Sequence, residues 1–161
     1  MKQEFLYSVE RSYPISIEEM WAAWTEPAQL EQWYSPTVLT VVPGSAVSDT
    51  RVGGIWAIGV DVSANGFNAY FWGEYQVVDR LSKLVHTMHY SQDEAEFVGK
   101  DMTTPSHRIE IDFETRDGQA WVRFSQYGEM PAEQIDATRS GMESYFDSLE
   151  QFVQGFDSKT P

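Results

Sequence analysis

Hydrophobic residues fall at every second position near the start of the chain. Phe5, Tyr7 and Val9 lie on one side, with Leu6, Ser8 and Glu10 on the other. This period predicts a half-buried strand over residues 3–11, which Pro14 ends. The spacing then changes: Ile17, Met20, Trp21 and Trp24 recur at i, i+3, i+4 and i+7, the apolar stripe of a short helix. Ser16-Ile17-Glu18-Glu19 supplies a capping box ahead of it. Pro27 suits the first turn of a second short helix carrying Leu30 and Trp33, and Pro36 stops that helix.

Sheet-like punctuation follows as far as Tyr127. A short strand is predicted at 38–42, another at 55–62 after Gly53-Gly54, and a third at 69–78 after the Asn65-Gly66 turn. Residues 83–90 form the next. Over 107–114, Ile109, Ile111 and Phe113 alternate inward against Glu110, Asp112 and Glu114, and Asp117-Gly118 returns the chain into a strand at 120–127. Residues 91–106 show no period and carry Asp93, Glu94, Glu96 and Asp101, which predicts a long acidic loop. After Pro131 the period is helical again. Ile135, Met142, Tyr145, Phe146, Leu149, Phe152 and Val153 form one stripe, with Gly155 read as the C-cap. Gly141 sits on the buried face of this helix, where glycine costs about 1 kcal/mol relative to Ala. Its presence there points to close packing or to empty space beside it.

The 161 residues fit one domain spanning 1–161. The absence of cysteine excludes disulfides, thiolate nucleophiles and Cys-based metal sites. A net charge of −14 opposes binding to nucleic acid or to an anionic membrane, because phosphate contacts need a basic face. The apolar run at 53–60 is too short to span a bilayer. The N-terminus runs directly into the first strand without a signal-peptide core, so the expected location is cytoplasmic. Six Trp, eight Tyr and nine Phe alter the picture more than the charge does. With about 150–250 Å² buried by each ring, they either fill the core or wall a cavity.

Most catalytic chemistry lacks its residues. His86 and His89 lie three apart on a predicted strand, so they face opposite ways and cannot share a metal ion. Ser106-His107 are mere sequence neighbours, and neither a GxSxG elbow nor a nucleotide-binding glycine motif occurs. Glu74 falls on the outward phase of Phe71-Trp72-Gly73-Glu74-Tyr75, which favours an ion pair with an arginine over a buried acid–base role. Asp49-x-Arg51 has the spacing of an ion pair at the Gly53-Gly54 bend. No catalytic residue, metal or cofactor is therefore assigned. What remains is a wall: Trp33, Trp56, Phe71, Tyr75, His86, Met88, Phe113 and Gln126, answered from the last helix by Met142, Tyr145 and Phe146. An apolar pocket with a few polar groups is the usual form of a small-molecule site.

Arg11-Ser12-Tyr13-Pro14, Met20-Trp21-Ala22-Ala23-Trp24-Thr25 and Leu30-Glu31-Gln32-Trp33-Tyr34-Ser35-Pro36 resemble the opening of the family named for the activator of heat-shock protein 90 ATPase. Asp49-x-Arg51-x-Gly53-Gly54, Gly73-Glu74-Tyr75, Leu84-Val85-His86-Thr87 and Gly141-Met142-Glu143-Ser144 follow in that family's order. The resemblance runs from about residue 5 to 153. It implies the START-like (SRPBCC) helix-grip fold, an α+β architecture. About seven antiparallel strands curve around a long C-terminal helix, with two short helices after the first strand. It also implies a cavity between sheet and helix that takes a small apolar or amphipathic ligand. Two further roles stay open: a cyclase- or hydrolase-type enzyme using groups such as His86, Tyr75 or Gln126, and a chaperone-associated interaction module with a protein partner.

Overall fold

In the computed structural model, which describes residues 3–158, β1 (Glu4–Tyr13) leads into α1 (Ile17–Thr25) and α2 (Pro27–Trp33). Ser16 Oγ accepts from the Glu19 amide and the Glu19 carboxylate accepts from the Ser16 amide, each at 3.0 Å, closing the capping box the sequence predicts. The chain continues through β2 (Thr40–Val41), β3 (Val47–Ser48), β4 (Ile55–Val62), β5 (Phe67–Asp79), β6 (Lys83–Ser91), α3 (Glu94–Gly99), β7 (His107–Arg116), β8 (Gln119–Gly128) and α4 (Ala132–Ser158). The strands pair antiparallel in the order β1-β8-β7-β6-β5-β4-β2, with β3 added alongside β4. The sheet curls around α4, giving the helix-grip arrangement.

Several local expectations change. Residues 91–106 are not wholly a loop. Asp93 caps α3 by accepting from the Ala95 amide at 2.8 Å. Phe97 then stacks on Tyr70, ring centroids 4.7 Å apart, and meets the edge of Trp72. Those two β5 residues face outward, opposite to Phe71 and Tyr75, so the outer face of the sheet needs an apolar cover and α3 provides it. A bulge between Phe5 and Tyr7 breaks the strand's phase and leaves Phe5 57% exposed while Tyr7, Val9 and Tyr13 are buried. α4 runs through Gly155 to Ser158 rather than capping there. Glu74 is exposed with no ion pair among the described residues. Asp49 and Arg51 do pair, at 2.9 Å. They brace a bend where a Cβ on Gly54 would collide with the Asp49 carbonyl.

Attachment of α4 is uneven, and this decides where the site lies. Arg11 reaches from β1 to Glu143 at 2.9 Å, Asp147 at 2.8 Å and Glu150 at 3.6 Å. The Tyr13 hydroxyl donates to the Phe146 carbonyl at 2.9 Å, and Ser148 Oγ to the Ser35 carbonyl at 2.6 Å. Phe146, Leu149 and Val153 are buried in the core. From Ala132 to Gly141 no α4 residue is buried. The helix is pinned along its C-terminal half and stands off the sheet at its N-terminal end.

Candidate ligand-binding cavity

The gap beneath the free end of α4 is a cavity of about 1040 Å³. Gln134, Thr138, Gly141, Met142 and Tyr145 line it from the helix, at spacings that place them on one face. Tyr7 from β1, with Phe124 and Gln126 from β8, lie opposite, and Tyr34 follows α2 at the inner end. Phe71, Met88 and Tyr90 come from β5 and β6. Residues 104–107 and 128–131 complete the rim. A Cβ at Gly141 would meet nothing within 4 Å, so of the two readings of this glycine the structure shows empty space.

A chain of hydrogen bonds crosses the sheet wall. Tyr7 and Gln126 are direct partners in the β1–β8 register, and the Tyr7 hydroxyl donates to Gln126 Oε1 at 2.6 Å. Gln126 Nε2 donates to His107 Nδ1 at 2.7 Å. Nδ1 is then the acceptor, so Nε2–H of His107 donates to the Glu129 carbonyl at 3.1 Å. Gly128 makes this possible, because a Cβ there would run into the His107 ring.

Two more phenols face the cavity. Tyr34 is 3% exposed and Tyr145 packs edge-on against it, ring centroids 5.1 Å apart. Neither hydroxyl bonds a group among the described residues. The sealed side-chain atoms without a partner among the described residues are Trp24 Nε1 and Gln29 Oε1. The two hydroxyls therefore reach open space, and the space beside them is the cavity. Burial pushes the Tyr7, Tyr34 and Tyr145 phenols well above their ordinary range, and Tyr145 raises Tyr7 and Tyr34 further. All three stay neutral at any physiological pH.

The structure divides the eleven residues proposed from sequence. Phe71, Met88, Gln126, Met142 and Tyr145 line the cavity. Trp33, Trp56, Tyr75, His86, Phe113 and Phe146 lie in the packed core outside that lining. Trp33 donates its indole N–H to the Ala23 carbonyl at 2.8 Å and meets Trp24 edge-to-face. Phe113 packs edge-on against Trp21, and Phe146 against Trp24. The Tyr75 hydroxyl shares a 2.7 Å hydrogen bond with Ser48, and burial pushes it up to about 12. Tyr7, Tyr34 and His107 are cavity residues that sequence reasoning missed. The Tyr7–Gln126 contact spans 119 positions, and only the strand register reveals it.

His86 stacks on Trp56 at 4.2 Å and donates from Nδ1 to the Thr87 carbonyl at 2.7 Å. His89 stacks on Trp72 on the opposite face, as the strand period requires. Burial lowers the His86 pKa from 6.5 to about 4. Between these values the unfolded chain binds a proton that the folded chain refuses. This stability is intact above pH 6.5 and is lost as pH falls towards 4, by about 2–3 kcal/mol at pH 4.5. The expected result is that the stability of wild type minus that of His86→Phe, measured by urea unfolding, falls by that amount from pH 7 to 4.5. A constant gap would show that the imidazole is solvated in the folded state.

Comparison with known proteins adds the lineage. The family model described as "Activator of Hsp90 ATPase homolog 1-like protein" matches residues 14–154. No curated protein matches the chain. Among solved structures, a Staphylococcus epidermidis protein is 21% identical, with 96% of this chain and 92% of that one covered and a TM-score of 0.76. The AHSA1 protein of Silicibacter pomeroyi is 19% identical over 92% and 96% of the two chains, TM-score 0.75. A Chromobacterium violaceum protein is 17% identical over 90% and 94%, TM-score 0.73. At these identities the likeness is one of fold. No helix among the described residues is long and apolar enough to cross a membrane.

Proposed function

Since the chain belongs to the activator of Hsp90 ATPase homolog 1-like family, whose fold commonly encloses apolar ligands, we propose that it binds a small amphipathic molecule between the free end of α4 and the sheet. The observation that carries this reading is the open volume beside Gly141. A helix glycine costs about 1 kcal/mol relative to Ala, and here it leaves space in place of a packing contact. The cavity volume is at the upper end of the range of small-molecule sites, and its walls join rings and methionines to a few polar groups, as such sites do.

The reading is tested by thermal melts against fatty acids, sterols, flavonoids and aromatic polyketides. Ligand at a hundred times its dissociation constant adds about 2.7 kcal/mol, which raises the midpoint by several degrees in a domain of this size. A shift confined to one chemical class is the expected result. No shift for any member would contradict the reading and turn attention to protein partners.

A further inference from the structure

Resting on that reading, we propose that the ligand is an uncharged, ring-containing molecule with a carbonyl oxygen, which accepts hydrogen bonds from the Tyr34 and Tyr145 hydroxyls. Several donors around the cavity are already used within the protein. The Tyr7 proton goes to Gln126, and the Gln126 amide donates to His107. At the rim, the Thr138 hydroxyl donates to the Gln134 carbonyl, while Tyr90, which accepts from Gln92, keeps its own proton on a half-exposed ring, and Ser106 and Gln134 keep theirs at half-buried and exposed positions that water reaches. Among the described residues, the buried Tyr34 and the half-buried Tyr145 donate to no protein group. A ligand that displaces water from them must offer acceptors or leave two donors unsatisfied.

Charge narrows the class further. No Lys or Arg is among the described residues lining the cavity, and its acidic member, Glu129, is exposed at the rim. A carboxylate or phosphate would leave water with no counter-charge to meet it, inside a chain of net charge −14. Burial keeps the phenols protonated, so they donate without carrying charge of either sign. Phe71, Phe124 and the Tyr7 ring supply flat walls suited to a planar skeleton.

Three probes of one shape separate the terms: 2-acetylnaphthalene, 2-isopropenylnaphthalene and 2-naphthoate, with dissociation constants measured by equilibrium dialysis at pH 7. The ketone should bind about tenfold tighter than the isopropenyl compound and at least tenfold tighter than the carboxylate. The preference of ketone over isopropenyl should vanish in the Tyr34→Phe/Tyr145→Phe variant, while isopropenyl affinity is kept. Equal affinity for ketone and isopropenyl compound in the wild type, or a carboxylate that binds as well as the ketone, would overturn this inference and leave the cavity reading intact. A preference that survives in the double variant would overturn it too. If none of the three binds and the melt panel is also silent, both readings fall together.

Discussion

Gly141→Leu should abolish ligand binding and leave the fold as stable as before. Nothing lies within 4 Å of the position a Cβ would take, and the residue lines the cavity. The leucine side chain would therefore occupy space that the ligand needs without displacing protein atoms. Leucine is also the better helix former by roughly 1 kcal/mol, so urea unfolding should show unchanged or slightly raised stability. Affinity for a ligand found in the melt panel should fall by more than a hundredfold. A packed site would behave differently: inserting four carbons there would cost about 1–3 kcal/mol. That loss, or undiminished binding, would place the cavity elsewhere.

Phe146→Ala, five residues along the same helix, should do the reverse. Phe146 is fully buried, packs edge-on against Trp24 at 6.0 Å and carries the Arg11 guanidinium over its ring at 5.8 Å. Its carbonyl also accepts from Tyr13, and Arg11 reaches on to Glu143 and Asp147. Removing a buried phenylalanine costs about 3–5 kcal/mol from lost transfer energy and the void left behind. This side chain also helps hold α4 on β1. Urea unfolding should show a loss of that size. A loss below about 1 kcal/mol would mean that the C-terminal half of the helix is not pinned as the contacts imply.

The opposite outcomes expected for these two residues show where the sequence was legible and where it was not. Strands with strict alternation, such as His107–Arg116, can be read directly because Ile109, Ile111 and Phe113 are buried in turn on one face. The capping box and the Asp117-Gly118 turn are local signals, and the structure contains both, with positive φ at each turn residue. α3 escaped because it buries one side chain, Phe97, and a single contact makes no period. Its cause was visible in β5, where Tyr70 and Trp72 alternate with Phe71, yet nothing local says what covers an outward ring. The cavity escaped in part for a related reason. Rings that fill a core and rings that line a space look alike in sequence, so Trp33 and Phe146 could not be told from Phe71 and Tyr145. What separates them is the uneven attachment of α4, set by ion pairs between residues more than 130 positions apart. Gly141 was the local hint, but an expensive helix residue on the apolar face points equally to close packing or to empty space, and only the three-dimensional surroundings choose the second.

α4 is divided into a pinned half and a free half. The pinned half contributes stability through Phe146, Leu149 and Val153. The free half contributes volume, with Tyr145 at the boundary supplying a hydroxyl. His107 and Gln126 hold the opposite wall in a single hydrogen-bonded arrangement, so a ligand entering the cavity would meet a preformed surface.

The most direct test is a titration with 2-acetylnaphthalene followed by backbone amide chemical shifts. The account predicts saturable shifts concentrated at Phe71, Met88, Gln126, Gly141, Met142 and Tyr145, with Leu149, Val153 and the outer-face residues Trp72 and Phe97 unmoved. Shifts centred on the outer face, or spectra that do not change at a millimolar excess of the ketone, would contradict it.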